Sequence, residues 1–335
     1  MEKKAGRKTK AFATFEMAGY TLDLFKELIR VLAEFGDDIV FTIKSDELEI
    51  RMLDSSRVMA SDIVFPKYVF EEWLSEVKSP IRISVPLDDI RYAIEDAGKE
   101  AKVKFDVDLT LKTKKEECKT VRREPDKCPK CGEPTTWNRL PAEKRKLKVY
   151  KRHIRFWYKC SCGWRGRIKQ RDVKEIHYTN EVVESKFKII VREKTTDEYH
   201  IEYVTASPEE VPVPKIRFYA KYKLLAKEFL AKLKKLSKKA NIVKFSGNNE
   251  KLTLQTVTDT GSVKVGIVKG VDMLLDSEVV GEQVASFSLD NLITLLPRKS
   301  ADVVTLEYTE EMPLRIIWQP MVEATVSFYL APIVA

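Results

Sequence analysis

The sequence predicts an α+β chain made of two duplicated sheet-and-two-helix units, with a small cysteine-bearing module inserted in the first. Three observations carry that reading. The block opened by Asp38-Ile39-Val40-Phe41, with Leu48, Asp54 and Val58 following, is echoed by Asn241-Ile242-Val243-Lys244, with Leu252, Asp259 and Val263 at nearly the same offsets. Each block follows a Lys-bearing amphipathic stretch. Each precedes a short apolar run and a Leu-Asp pair that opens a second helix, Leu87-Asp88 and Leu289-Asp290. Self-similarity on this scale signals repetition of one supersecondary unit. Finally, two close Cys pairs, Cys128/Cys131 and Cys160/Cys162, interrupt the first unit only.

Residues 1–10 (MEKKAGRKTK) form a basic tail with no apolar centre, which argues against a secretory signal. The first unit is expected over 11–204. From Thr21 to Glu34, Leu24, Phe25, Leu28 and Leu32 share one stripe, with Lys26 and Arg30 opposite, so a helix is predicted. A second helix, Leu87 to Lys99, carries Arg91 but also Glu95 and Asp96. Strands near Val103–Thr113 and Lys186–Glu193 are expected to flank an insertion over about 114–180. A connector over 205–213 follows, where Pro208, Pro212 and the adjoining Pro214 hold the chain extended and out of a sheet. The second unit, 214–335, is predicted to open on a helix from Tyr222 to Lys239. Leu225, Phe229, Leu233 and Leu236 would face inward, and Lys227, Lys234, Lys235 and Lys238 outward.

The insertion reads as a zinc ribbon. Zn²⁺ takes four soft ligands at a tetrahedral centre, and two short-spaced Cys pairs on facing turns supply them. The glycines after Cys131 and Cys162 let the backbone turn its amides toward thiolate sulfur. Disulfides are the alternative, disfavoured in a reducing compartment. The second pair is C-x-C rather than the commoner C-x₂-C, and Cys118 stands outside the pattern. A closed four-Cys set leaves no open coordination position, so the ion would be structural. Between and after the knuckles, cations such as Lys144, Lys148, Arg152 and Arg167 alternate with Trp137, Tyr150, Phe156, Trp157 and Tyr158. That pattern suits phosphate neutralisation and base stacking. It equally suits a ribbon that needs aromatics for its own small core, and protein docking remains the competing role.

Three motifs occur in order on this frame: Met52-Leu53-Asp54-Ser55-Ser56-Arg57-Val58, Glu209-Glu210-Val211-Pro212-Val213-Pro214, and Phe328-Tyr329-Leu330-Ala331-Pro332. They resemble the central loop, the connector end of archaeal members, and the C-terminal YLAP motif of the proliferating cell nuclear antigen (PCNA) family of sliding clamps. The resemblance covers roughly residues 11–112 and 183–335. It implies a two-domain DNA clamp: a closed ring of three subunits with helices inside and sheets outside. Such a ring is a processivity factor, not an enzyme. It encircles double-stranded DNA and tethers DNA polymerase and other replication and repair proteins. A clamp loader and clamp-binding peptide clients are the further partners implied.

In the family, helices of this kind line the central hole and face the DNA backbone, and Lys26, Lys234 and Lys238 match positions that are basic there. The expected DNA-binding set adds Arg30, Arg91, Lys227, Lys235, Arg298 and Lys299. Phosphate contacts without base contacts permit sliding. Glu95 and Asp96 stand where the family favours Lys. The resemblance assigns client docking, by insertion of a short helical peptide, to three segments. These are Leu53, Arg57, Val58 and Ala60 in the loop; Val211, Val213 and Pro214 in the connector; and Pro313, Tyr329, Ala331 and Pro332 near the end. Arg57 occupies a position that is often His. Ordinary core packing is the competing reading for Val58 and Tyr329.

Bulk properties agree with a polyanionic partner: 60 Lys+Arg against 51 Asp+Glu give a net charge of +9. No apolar run reaches the length needed to span a bilayer, so no membrane partner is expected. The expected location is cytoplasmic, associated with the nucleoid in a prokaryote, or a nuclear or viral replication site otherwise. His153, His177 and His200 join no evident catalytic constellation, and no nucleotide-binding fingerprint occurs. The alternative function is a clamp-derived transcription factor whose ribbon engages RNA polymerase or promoter DNA.

Overall fold

The computed structural model describes residues 8–77, 80–124, 130–131, 136–138, 157–159, 162, 165–167, 169–201, 205–206, 211–258 and 261–333. The first half runs β1 (Lys8–Ala18), α1 (Gly19–Leu32), β2 (Asp38–Ile43), β3 (Glu47–Ile50), β4 (Met59–Pro66), β5 (Glu72–Ser75), β6 (Ile81–Pro86), α2 (Leu87–Ile94) and β7 (Lys102–Glu124). The insert holds β8 (Thr136–Asn138), β9 (Trp157–Lys159) and β10 (Arg165–Arg167). Then come β11 (Lys169–Arg192), β12 (Thr196–Ile201) and β13 (Thr205–Ala206). The second half repeats the first as β14 (Ala220–Leu225), α3 (Ala226–Ser237), β15 (Ile242–Gly247), β16 (Lys251–Thr258), β17 (Gly261–Val268), β18 (Leu274–Val279), β19 (Gln283–Ser288), α4 (Leu289–Thr294), β20 (Ala301–Tyr308), β21 (Leu314–Pro320) and β22 (Thr325–Leu330).

Local chemistry explains the elements. In β4, MASDIVFP alternates buried and half-buried residues, the period-2 signature of a strand with one face on a core. In α1, Leu24, Phe25, Leu28 and Leu32 are all buried, and Gly19 at φ +53 allows β1 to turn straight into the helix. Aromatic rings fill the space beneath: Phe15 stacks on Phe105 at 5.0 Å, and Phe25 meets Phe105 edge-on at 5.6 Å. The second core has its own set, with Tyr222 stacked on Tyr308 and Phe245 edge-on to Phe287.

Three expectations need correction. Tyr222 to Leu225 are strand, not helix: Tyr222 and Leu224 are buried in alternation within β14, and α3 begins only at Ala226. The helix from Leu87 stops at Ile94 rather than Lys99. Strands β7 and β11 also extend well past the expected segments, because they are neighbours in one sheet.

Each half contributes two sheets. The first half has β12-β11-β7-β1-β5 and β6-β2-β3-β4; the second has β22-β21-β20-β14-β18 and β17-β16-β15-β19. The halves are joined where β22 pairs antiparallel with β4, with Met59 opposite Leu330, Ala60 opposite Tyr329 and Val64 opposite Thr325. That joint fuses two of the sheets, and β13, pairing beside β6, completes one sheet of ten strands. By the internal repeat, the counterparts of β4 and β22 are β17 and β12. Both lie at sheet ends with no partner strand on their outer side among the described residues.

Residues 113–180 separate as a compact unit from 8–112 with 181 onward. Within that unit, β8, β9 and β10 form a three-stranded antiparallel sheet, with Trp137 opposite Tyr158 and Gly166 opposite the same tyrosine. Among the described residues no helix is long and apolar enough to cross a membrane.

Candidate nucleic-acid interface and docking loop

The four helices form a connected layer: α1 packs on α2, and α3 packs on α4. A latch ties the two pairs together. The Glu27 carboxylate accepts hydrogen bonds from the backbone amides of Arg298, of Lys299 at 3.1 Å and of Ser300 at 2.8 Å, and from the Ser300 hydroxyl at 2.6 Å. Successive amides pointing at one carboxylate make an anion nest, so the turn after α4 is held against α1. This turn presents Arg298 and Lys299, both exposed.

The basic residues assigned to this layer have unequal roles. On α3, Lys227, Lys234, Lys235 and Lys238 are exposed, while Phe229, Leu230, Leu233 and Leu236 are buried. Lys234 and Lys235 fall in the last turn, where the helix dipole favours cations. Lys26 is differently occupied: its ammonium donates to the carbonyl oxygens of Ala97 and, at 3.4 Å, of Glu95, so it caps the C-terminus of α2. Burial pushes the Lys26 pKa down. Arg30 is half-buried, with its guanidinium 3.7 Å from Glu27; desolvation, then the neighbouring Arg298, lower its pKa. Arg91 is exposed on α2 and paired at 3.1 Å with the exposed Asp88, an arrangement worth little in water.

The docking positions divide into two groups. Asp54 organises the central loop. Its carboxylate accepts from the Met59 amide at 2.6 Å and from the Ser56 amide and hydroxyl. Arg57 sits in the left-handed region at φ 58. Leu53, which is 41% exposed, bridges to Ala60. The C-terminal segment closes on this loop: the Ala331 amide donates to the Val58 carbonyl at 2.8 Å, and Tyr329 lies opposite Ala60. Leu53, Val58, Ala60, Tyr329, Ala331 and Pro332 are therefore brought together. Tyr329 itself is only 5% exposed, its ring 5.9 Å from the Arg315 guanidinium and its phenol pKa raised by burial. It forms the floor of this region rather than a projecting wall. Pro313 is half-buried immediately before β21, whose Leu314 pairs with Leu330.

The connector positions Val211, Val213 and Pro214 are half-buried in a segment without regular structure. Val211 lines a cavity of about 120 Å³ together with Val40, Lys44, Glu49, Arg51 and Arg82. Charged and apolar groups share that lining, with Lys44 2.6 Å from Glu49.

Of the expected zinc ligands, Cys128 and Cys160 lie outside the described residues. Cys131 and Cys162 are exposed, each in a turn, the latter between β9 and β10. Among the described residues no three His, Cys, Asp or Glu side chains gather as a metal cluster.

Sequence reading missed the Glu27 latch, the cap by Lys26 and the two unpartnered edges. Backbone groups supply the partners of Glu27 and Lys26, and the edges are set by strand order; neither carries a residue-specific signal.

No protein-family model matches the chain. Among curated proteins, the DNA polymerase sliding clamp of Thermofilum pendens is 21% identical over 310 residues, covering 92% of this chain and 94% of that protein. DNA polymerase sliding clamp 1 of Pyrobaculum aerophilum is 25% identical over 168 residues, which is 50% of this chain and 66% of that protein. Among solved structures, PCNA from Thermococcus kodakaraensis superposes with a TM-score of 0.66 at 16% identity, covering 96% of this chain and 100% of that one. The fold is thus the PCNA-type clamp fold, mostly sheet with few helices.

Proposed function

We propose that this chain is a DNA sliding clamp, a ring-forming processivity factor that encircles duplex DNA and tethers DNA polymerase. One observation carries the reading. The β4–β22 joint is a head-to-tail union of two like units inside one chain, and the counterparts β17 and β12 are left as open edges. Pairing β12 of one copy with β17 of the next would repeat the internal joint between copies. A heterologous contact of this kind closes into a ring when its rotation divides a full turn. The edges suit each other in charge: Asp197 is exposed on β12, beside Glu198, which pairs with Lys188 at 2.6 Å, and Lys264 is exposed on β17. Three copies would place six like units around the hole, with the helix layer lining it.

In this reading client peptides dock at the loop formed by Leu53, Val58, Ala60, Ala331 and Pro332, and a clamp loader opens and closes the ring. The insert is a zinc ribbon. Its donor set is four thiolates, Cys128, Cys131, Cys160 and Cys162, and the short three-stranded sheet β8–β10 supports it. The ribbon adds contacts to nucleic acid or to a partner. Two measurements test the proposal together. Sedimentation should find an assembly of three chains, and primer extension on a long template should give longer products when the protein is present. A monomer at micromolar concentration, or unchanged product length, would refute it.

A further inference from the structure

The helix layer is split by charge along the internal repeat. On the second-half side, α3 exposes Lys227, Lys234, Lys235 and Lys238, and the turn after α4 adds Arg298 and Lys299; Glu228 and Asp290 are the exposed carboxylates on α3 and α4. On the first-half side the exposed charges on and just beyond α1 and α2 are mainly carboxylates: Asp23, Asp88, Asp89, Glu95 and Asp96. Fewer cations stand against them: Lys26, which caps the carbonyls at the end of α2 and lies within electrostatic reach of Asp23 and Asp96, Arg91, paired with Asp88, and the exposed Lys99. The latch at Glu27 fixes the border between the two signs.

We infer that duplex DNA bears on the second-half stripe alone, and that the acidic α1–α2 face of each copy holds the phosphate backbone off. The inference rests on the ring reading above and names which half of the hole touches DNA. Packed helices lie about 8–10 Å apart, and the Debye length at 0.1 M salt is about 10 Å. α3 packs on α4 and α1 on α2, so each pair acts chiefly on the phosphates that face it: the lysines of α3 attract theirs, and the carboxylates of α1 and α2 repel those brought against their own face. In a ring the signs would alternate around the hole. DNA would then be drawn toward one basic stripe per copy instead of being centred by a uniform field.

The test uses the full-length protein, a short fluorescent DNA duplex and a salt titration, with native mass recorded for every variant. Lys234→Glu with Lys238→Glu should weaken binding at 50 mM salt, and the deficit should shrink by roughly three- to four-fold per lost phosphate contact on going to 200 mM, as the log–log salt slope flattens by about one unit per contact. Asp89→Asn with Asp96→Asn should do the opposite, tightening binding about two-fold per neutralised carboxylate at low salt and converging with the native protein at high salt. If the Asn variant binds like the native ring, or more weakly, the division of the surface is overturned while the clamp reading stands. If the native ring itself fails to bind duplex at low salt, the clamp reading falls and this inference with it.

Discussion

Replacing Glu27 with Ala should separate the two halves of the helix layer. The side chain is 9% exposed and its carboxylate receives three backbone amides and one hydroxyl from residues 298–300. Hydrogen bonds to a charged acceptor contribute about 1.5–3 kcal/mol each, and several converging on one group do not add independently. Water would recover part of the loss at this partly exposed turn. A net destabilisation of about 3 kcal/mol follows, near what removal of one partner from a buried charged cluster costs. The Arg30 guanidinium loses its neighbour in the same step, which adds to the cost. Thermal unfolding should report a drop of several degrees. Amide hydrogen exchange should report the location: the amides of Arg298, Lys299 and Ser300 become fast while those of β20 stay protected. Glu27→Gln, which keeps an acceptor oxygen but not the charge, should fall between. A Glu27→Ala protein with native melting temperature and slow exchange at 298–300 would refute the latch.

Three further outcomes are expected. Native protein should carry one Zn²⁺ per chain, and chelation should unfold the insert while 8–112 and 181–333 keep their structure, because a small ribbon folds on its ion; metal analysis without zinc would remove the ribbon. Glu198→Pro puts a residue without an N–H on the β12 edge, so sedimentation should show a smaller species than the native assembly while circular dichroism is unchanged; an assembly of native mass would place the joint elsewhere. Leu53→Ser with Pro332→Ala alters two accessible docking positions, and it should weaken a polymerase-derived clamp peptide by about 2 kcal/mol without lowering the melting temperature; unaltered peptide binding would move the docking site away from this loop.

What could be read from the sequence depended on where the partner of each residue lies. The stripe Leu24, Phe25, Leu28, Leu32 announces α1 because all its members face one core. The loop over 52–58 is recognised by its motif, and the structure shows that Asp54 holds it through groups only two and five residues away. The stretch from Tyr222 to Leu225 misleads because four residues are too few to tell alternation from a helical stripe; burial of Tyr222 and Leu224 on one face settles it as strand. The ends of β7 and β11 are as charged as a loop, and only their neighbour in the sheet makes them strands. Glu27 and its amides are separated by some 270 residues, beyond any local pattern.

The internal repeat explains both the joint and the charge split. Duplication copies backbone topology, so a strand order that gives one half edges at β4 and β12 gives the other edges at β17 and β22. One of these edges from each half is consumed in joining the halves, and the two that remain are of opposite kind, so the chain can associate head to tail but cannot satisfy itself. Duplication does not copy surface charge. Positions on α1 and α3 share a helical frame and a buried stripe, yet the outward residues are under no packing constraint and diverge freely. In α1 the long cation Lys26 caps its neighbour and Asp23 is exposed; in α3 the lysines face outward. If the joint were formed by unlike chains instead, the acidic edge of β12 would have no need of the basic Lys264 on β17 of its own sequence. Reversing Lys264 to Glu should then leave assembly of this chain unaffected, whereas self-assembly predicts a weaker ring that salt rescues by screening the new repulsion.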